Sequence, residues 1–372
     1  MENKIDKLAN LVVNYSLKVK KGDRILISCE TLEPKPLVKT LVNKIMDLGG
    51  YVLVKISDPE INALINEKIN DDILDNFAKR KEFEVDNFDA FITICYSVND
   101  YIDKKRNSKV ISKLSKMTQD IDHIRINDRK WVLINYPSCL DAYKAMMKND
   151  DFYEYAMAAM TMDYAKMNEL IKPLKELMEK TDKVRILGPD TDITFSIKGM
   201  HAEPCTGEYN IPDGEIFTAP IRDSVNGIIT YNTRSVYHGE VFSDVRLEFK
   251  DGKIIKASSK MGKQDKLEEI FNSDEGARYI GEFALGFNPM ITEPMGDILF
   301  DEKIKGSLHF TPGQCYDEAD NGNNSMIHWD LVLIQREEYG GGEIYFDDVL
   351  IRKNGKFILP ELEALNFDKK EK

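Results

Sequence analysis

The 372-residue chain is poor in cysteine and in histidine, with five residues of each. The cysteines are an odd number, lie far apart and form no CxxC pair. This spacing argues against a disulfide framework and against a structural zinc site built on thiolates. Reduced, buried thiols fit a reducing compartment better, so the composition favours an intracellular protein.

The chain also lacks long apolar runs and an excess of positive charge. No stretch approaches the roughly 18 uncharged apolar residues of a membrane span. The first residues, MENKIDKLANLVVNYSLKV, carry charges throughout, unlike a signal peptide. The net charge of −13 disfavours nucleic acid and anionic membranes, and no phosphate-binding glycine motif is present. We therefore predict a cytoplasmic protein with neither nucleic acid nor a membrane as partner.

The first third of the chain alternates strand-like and helix-like segments. The apolar segments RILISCE, GGYVLVKIS, FDAFITICYS and KWVLINYP predict four strands, with helical patterns between them. A basic helix is expected near Asp103–Met117. Strand–helix alternation with apolar strands predicts a parallel α/β sheet that is covered on both faces. From about Ser138 to Thr181 the pattern predicts one long helix or a bent pair that links the two halves.

The C-terminal half has a different pattern. Alternating segments such as GEVFSDVRLEFKDGKIIKASS and GEIYFDDVLIRKNGKFIL contain DG and NG turns, which predict antiparallel hairpins. A helix is predicted at about Lys263–Asn272. We therefore expect an α/β N-terminal domain with bridging helices over residues 1–180. A mixed, antiparallel-β-rich catalytic domain that carries a metal site should follow over residues 181–372.

Four polar residues stand in apolar surroundings where a buried charge needs a partner. His328 and Asp330 in MIHWDLVL alternate by two, so both point from the same face of one predicted strand. Glu215 lies in NIPDGEIFTAP and Glu282 in YIGEFALGFN. Imidazole and carboxylate suit zinc, cobalt or manganese, so a metal would satisfy all four side chains. Salt bridges, turn caps or a half-exposed strand would satisfy them as well.

A second histidine-bearing segment of the last quarter, SLHFTPGQCY, contains His309 and Tyr316. The ordered segments NIPDGEIFTAP, IGEFALGFNP, LHFTPGQCY and NNSMIHWDLV resemble the thermophilic metallo-aminopeptidase family (the aminopeptidase T group). VKKGDRILIS, MDYAKMNELI and VRILGPDTDITFSIKG extend this resemblance to nearly the whole chain. In that family, two glutamates, two histidines and an aspartate hold two divalent metals. The resemblance implies that the ligands here are Glu215, Glu282, His309, His328 and Asp330.

The resemblance also implies the chemistry. Two ions, whether zinc, cobalt or manganese/magnesium, would activate a water that releases the N-terminal residue of peptides with a free N-terminus. Glu215 or Glu282 would serve as general base, and the sequence does not choose between them. Tyr316 would either donate a hydrogen bond to the oxyanion or line the wall of the site. A homodimer that encloses the site is implied. His123, His201 and His238 match no ligand position, so we interpret them as structural or surface residues.

Two other functions stay open on the sequence alone. A different metal-dependent amidase or carboxypeptidase on the same scaffold would need a cation for the substrate carboxylate, and Arg222, Arg234 and Arg246 are available. A non-catalytic peptide-binding or metal-binding protein would be favoured if a ligand were missing. All five ligand positions carry competent side chains, which favours the enzyme.

Overall fold

The structure is a computed structural model that describes residues 3–99, 108–237 and 239–367. The chain divides into two compact units. The first comprises Met1–Met162 with Gly207–Pro212, and the second comprises Asp163–Thr206 with Asp213–Lys372. The division into domains 1–180 and 181–372 stays a prediction, while the compact units assign Asp163–Lys180 to the second.

The strands of the described residues are, in chain order, β1 (Arg24–Cys29), β2 (Tyr51–Ile56), β3 (Ala90–Cys95), β4 (Lys130–Asn135), β5 (Lys183–Gly188), β6 (Thr191–Ser196), β7 (Glu203–Cys205), β8 (Asn210–Ile211), β9 (Glu215–Thr218), β10 (Asn226–Thr230), β11 (Arg234–Tyr237), β12 (Glu240–Ser243), β13 (Arg246–Lys250), β14 (Lys253–Ser258), β15 (Ile280–Gly286), β16 (Ser307–Pro312), β17 (Val332–Ile334), β18 (Glu343–Phe346), β19 (Val349–Lys353) and β20 (Lys356–Phe357).

The helices are α1 (Lys4–Asn10), α2 (Lys35–Asp47), α3 (Pro59–Lys68), α4 (Leu74–Asn87), α5 (Ser108–Met117), α6 (Gln119–Asn127), α7 (Cys139–Lys144), α8 (Asn149–Met160), α9 (Tyr164–Lys180), α10 (Gln264–Phe271) and α11 (Ile298–Asp301). A π-helical turn, Leu11–Ser16, continues α1. Short 3₁₀ turns lie at Asp71–Ile73, Gly276–Arg278, Asp317–Ala319, Glu337–Tyr339 and Glu363–Asn366. None of these helices is long and apolar enough to cross a membrane.

The first unit is built on a parallel sheet of strand order β2-β1-β3-β4-β8. The four predicted strands are its first four members, and the fifth, β8, comes from the middle of the chain. Ile25, Ile92 and Val132 are fully or almost fully buried in its core. Such continuous apolar strands are expected where helices cover both faces of a parallel sheet. The predicted α/β fold is confirmed.

The predicted long helix or bent pair between Ser138 and Thr181 is wrong in number, because the segment forms α7, α8 and α9. Met146 has a positive φ of 55° and ends the first helix, since such a backbone conformation cannot continue an αR turn. The Asp163 side chain caps the third helix by accepting from the Lys166 amide. Pro173 lies inside α9. Residues 103–107 of the predicted basic helix lie outside the described residues.

The second unit consists mainly of antiparallel strands. An eight-stranded sheet has the order β14-β13-β10-β6-β5-β18-β19-β20, and a five-stranded sheet has the order β17-β16-β15-β9-β7. The predicted DG turn joins β13 to β14, with Asp251 and Gly252 at φ 49° and 81°. This left-handed pair is typical of type I′ hairpins. The antiparallel-rich second half and the helix α10 are thus confirmed.

Candidate metal centre

Three of the predicted ligands lie on adjacent strands of the five-stranded sheet. Glu215 is the first residue of β9, Glu282 lies in β15 and His309 lies in β16. All residues of these three strands are buried, and these three side chains are no more than 5% exposed. The sequence therefore places charged groups where neighbouring strand positions are apolar, and partners must be found within the protein.

Small residues make room for these side chains. Strand β15 pairs Ala284 with His309 and Gly286 with Glu215. Because alternate residues share a face, Ala284 and Gly286 lie on the same side of β15 as Glu282. A methyl group at Gly286 would lie 2.6 Å from the Ser307 hydroxyl and 2.7 Å from the Glu302 carbonyl. The glycine thus lets the segment before β16 pass closely over the sheet.

The prediction that His328 and Asp330 lie on one regular strand is wrong in detail. The strand β17 begins only at Val332, and His328 forms an isolated bridge with Gly313. The Trp329 amide donates to the Pro312 carbonyl, so the segment runs beside the end of β16 with irregular pairing. The two side chains nevertheless converge, since His328 Nε2 lies 3.2 Å from Asp330 Oδ1.

The five predicted ligands form one cluster, with Glu282 between the two histidines. Its Oε1 lies 3.0 Å from His309 Nε2, and its Oε2 lies 3.2 Å from His328 Nε2. His309 Nε2 also lies 3.5 Å from Glu215 Oε2. Chain segments that are far apart in sequence thus bring three carboxylates and two imidazoles into one series of contacts of 3.0–3.5 Å.

A second layer of hydrogen bonds orients the His328 end. The Nδ1 of His328 faces the Gln314 carbonyl at 2.8 Å. A carbonyl only accepts, so Nδ1 carries the proton, and Nε2 of the neutral ring is available to a metal. The Thr311 hydroxyl donates to Asp330 Oδ1 at 2.7 Å. Such outer partners fix the direction of ligand atoms before a metal binds.

Electrostatics favour a cation in this cluster. Burial disfavours the charged imidazole, yet the carboxylates of Glu215 and Glu282 raise the pKa of His309 to about 10. Asp330 and Glu282 raise the pKa of His328 well above its usual value in the same way, again against burial. Burial raises the pKa of Glu215 to about 7 although a lysine lies beside it. These pKa shifts show that the carboxylates stabilise positive charge on the neighbouring imidazoles. The same carboxylates would stabilise a bound divalent cation.

Buried polar atoms without a hydrogen bond test whether a metal fits. Glu215 Oε2, His309 Nδ1 and His328 Nε2 are such atoms. In the described residues, three groups have ligand atoms within 4.8 Å of one another; one is Cys205, Asp213 and Glu215, and the other two contain the predicted histidines. The first of these two is Glu215, Glu302 and His309, and the second is Glu282, His328 and Asp330. Carboxylate and imidazole donors suit zinc, cobalt and manganese, so the residues fit two divalent ions.

Three charged residues of this centre were missed from the sequence. Glu302 belongs to the first ligand group, and Lys303 beside it is buried with Nζ 3.7 Å from Asp213 Oδ1. Lys303 also forms an ion pair with Glu215. The available signal was the run Asp-Glu-Lys between the apolar residues Phe300 and Ile304. A charged run of this kind is usually exposed, and the pattern alone gave no reason to place it inside.

Tyr316 lies beside the cluster. Its ring centroid is 4.9 Å from that of His328 and 5.3 Å from that of Phe217. Part of the ring remains exposed. Desolvation and the carboxylates of Glu282 and Asp330 raise the pKa of the phenol well above its usual value. The hydroxyl is therefore a neutral hydrogen-bond donor at pH 7, whether it contacts substrate or lines the wall.

Neither His123 nor His201 belongs to a group of possible ligand atoms among the described residues. His123 is exposed on α6, and His201 is exposed with ring nitrogens 3.0 Å from Glu179 and from Glu203. His238 lies outside the described residues. These positions of His123 and His201 agree with the surface role expected for them.

Of the three arginines considered for carboxylate recognition, one lies near the centre. A cavity of about 90 Å³ is lined by Arg234 and Asp330 together with residues of β11 and the start of α11. Arg222 instead stacks on Tyr279 with its guanidinium carbon 3.6 Å from the ring centroid. Arg246 pairs with Glu248.

Comparison with known proteins decides the family. The sequence model of the family described as thermophilic metalloprotease (M29) matches residues 1–357. The chain belongs to this family. Its members are peptide-bond hydrolases that depend on divalent metal, so the predicted resemblance and the prediction of a metal-dependent peptidase are confirmed.

Similar members bear aminopeptidase names. The chain is 24% identical to aminopeptidase AmpS of Bacillus subtilis over 367 residues, 88% of each chain. It is 29% identical to aminopeptidase T of Thermus aquaticus over 175 residues, which cover 40% of this chain and 42% of that protein. The solved structure of wild-type AmpT from Thermus thermophilus has the same fold. Its TM-score is 0.76 at 19% identity, and the match covers 96% of this chain and 99% of that one.

Proposed function

We propose that this metalloprotease is an aminopeptidase that removes the N-terminal residue of peptides with two divalent ions. The ligands are Glu215, Glu282, His309, His328 and Asp330. The observation that carries the proposal is the contact of Glu282 with both histidines, at 3.0 and 3.2 Å, which joins two groups of ligand atoms into one centre. The aminopeptidase names of the similar proteins support the substrate class.

The charge of the centre supports two ions rather than one. In the described residues, the centre contains five carboxylates and one ammonium group, that of Lys303. Four negative charges therefore remain when the imidazoles are neutral, which is the number that two divalent ions balance. A buried site with such an excess is unfavourable unless cations bind, because isolated charges are poorly solvated in a protein interior. The carboxylates are Asp213, Glu215, Glu282, Glu302 and Asp330.

Divalent ions held by these five residues would supply a water of lowered pKa and a Lewis acid for the scissile carbonyl. The protein then has to move a proton from the attacking water to the leaving amine. Glu215 and Glu282 are the candidates for this general base, since both carboxylates face the histidines. The neutral phenol of Tyr316 is suited to donate to the oxyanion.

A second candidate function has one observation in its favour. Arg234 lines the cavity that reaches Asp330, and an exposed guanidinium there would suit a C-terminal carboxylate. A carboxypeptidase would use this contact, whereas an aminopeptidase needs a carboxylate for the substrate's free amine. The acidic character of the centre favours the amine.

Substrate blocking separates these functions. Aminoacyl anilides and C-terminally blocked peptides should be cleaved, and the matched N-acetylated peptides should not. His328→Ala and Glu215→Gln should lose bound metal and turnover, whereas His123→Ala on α6 should retain both. Cleavage of the N-acetylated peptide would rule out the aminopeptidase, and full metal content in both site variants would rule out the ligand set. The homodimer, the cytoplasmic location and the identity of the ions stay predictions.

A further inference from the structure

Lys303 is a buried cation inside the proposed metal centre. Its side chain is 1% exposed, and it forms ion pairs with Glu215, Glu302 and Asp213. The contact with Glu302 Oε1 is 2.5 Å and that with Asp213 Oδ1 is 3.7 Å. Three carboxylates within ion-pair distance of one buried amine place its positive charge at the Glu215 end of the centre.

The carboxylates that Lys303 contacts are the same ones that would ligate an ion at the Glu215 end of the centre. Glu215 contacts the ammonium through Oε1, and its Oε2 is the buried oxygen without a hydrogen bond. Glu302 is the other carboxylate of that ligand group. An ion held by Glu215 and Glu302 would thus share both carboxylates with an ammonium, and the two cations would repel each other across them.

The other end of the centre has no such cation. Within residues 3–99, 108–237 and 239–367, neither Glu282 nor Asp330 forms an ion pair with a lysine or arginine. The outer partner of Asp330 there is the neutral hydroxyl of Thr311. Three carboxylates against one ammonium leave two net negative charges at the Glu215 end, as many as Glu282 and Asp330 carry at the other end. The two ends differ in their contacts, because the ammonium pairs with both Glu215 and Glu302, the two carboxylates that would ligate an ion there.

We propose that Lys303 makes the two metal positions unequal, so that the position at Glu282, His328 and Asp330 fills first and the position at Glu215, Glu302 and His309 fills second. This inference rests on the proposed two-ion centre and adds an order of filling to it. Lys303 acts as a positioning residue, since it binds one oxygen of Glu215 and leaves the other for the ion. It also lowers the attraction of that position for a second divalent cation.

Titration of the metal-free, full-length protein with Co²⁺ tests the order, with calorimetry for affinity and visible absorption for coordination. Wild type should bind two ions in two steps whose dissociation constants differ by about tenfold or more. Lys303→Met should tighten the second step by about tenfold, and Lys303→Arg should leave it weak because the charge is kept. Lys260→Met removes an exposed lysine that pairs with Asp244 and should behave like wild type.

The Asp330→Asn variant shows which of the two Co²⁺-binding steps belongs to which metal position. This test remains informative even if the Lys303 variants do not fold. Asp330→Asn should weaken the first, tight step and leave the second step in place. Two equal steps in wild type, an unchanged gap in Lys303→Met, or loss of the weak step in Asp330→Asn would each overturn the order of filling. Failure of wild type to bind any Co²⁺ would instead overturn the proposed metal centre itself.

Discussion

In the parallel sheet of the first unit, β1 and β3 bury isoleucines such as Ile25 and Ile92, whereas in the second unit the fully buried β15 and β16 carry Glu282 and His309. Apolar side chains stabilise a sheet in proportion to the area they remove from water, about 25 cal/mol per Å². Buried charges gain nothing in this way and depend on partners. The difference indicates that burial serves stability in the first sheet, and we propose that it serves ion binding in the second.

The largest effect should come from removing charge in the second sheet. Glu282→Gln keeps the shape of the side chain but contacts the histidines without a negative charge. We expect turnover to fall by about 10²–10⁴-fold and the bound metal to be lost, because this carboxylate lies between both ligand groups. Elemental analysis and kinetics per mole of folded protein measure the two effects.

The matched control for this change is Glu84→Gln in α4. Glu84 pairs with Lys55 at 2.9 Å in the first unit, so it is a carboxylate with a cationic partner outside the proposed centre. The control should retain metal content and turnover. If the Glu282→Gln protein kept all its metal ions, the claim that the second sheet serves ion binding would be wrong.

A change in the first sheet should affect stability alone. Ile92→Ala removes a fully buried side chain from the central strand β3, and truncations of this kind cost about 2–5 kcal/mol. We expect a lower urea midpoint with an unchanged number of ions per folded chain. Circular dichroism and elemental analysis provide both values. If folded Ile92→Ala bound fewer ions, the two sheets would not be functionally independent.

The smallest effect should come from an exposed charge pair. Arg24 and Asp89 lie 2.9 Å apart, and the hydrogen bonds from Arg24 lower the pKa of Asp89 from 3.8 to about 2. A lowered folded-state pKa stabilises the protein above the unfolded pKa, and this contribution disappears as the pH falls through about 2. Asp89→Asn should therefore cost about 0.2–1 kcal/mol at pH 7, and the difference from wild type should shrink between pH 4 and pH 2. Urea unfolding across that range measures it, and a difference that grows in acid would contradict the assignment.

Sequence patterns predicted most of the fold because most of the longer strands have a local signal. Apolar runs identified β1 to β4, and the DG and NG turns identified the hairpins of the second unit. The short strand β8 has no such signal, since it pairs with β4 across a long stretch of chain. The break between α7 and α8 depends on a positive φ at Met146, which side-chain periodicity does not reveal. A second break, between the C-cap Thr161 and the N-cap Asp163, separates α8 from α9.

The candidate site was predictable where a charged residue interrupts an apolar segment. Glu215, Glu282 and Asp330 stand out for this reason, and the family resemblance added His309. Lys303 does not stand out, because a lysine beside two acidic residues is typical of an exposed loop. Its amine meets the carboxylates of Asp213 and Glu215 only in the folded chain.

The strand β8 has a consequence for how the chain can be divided. Asn210 and Ile211 pair with Leu133 and Ile134 of β4, although the residues on either side, up to Thr206 and from Asp213, belong to the second unit. A fragment that ends at residue 180 would lack an edge strand, and one that begins there would carry that strand without its neighbour. Glu215 follows β8 by only a few residues, so this proposed metal ligand lies close in sequence to the point where the polypeptide leaves the first unit for the last time. The chain passes between the units three times, so neither unit can be removed with a single cut, and an evolutionary exchange of either one would have to preserve all three crossings.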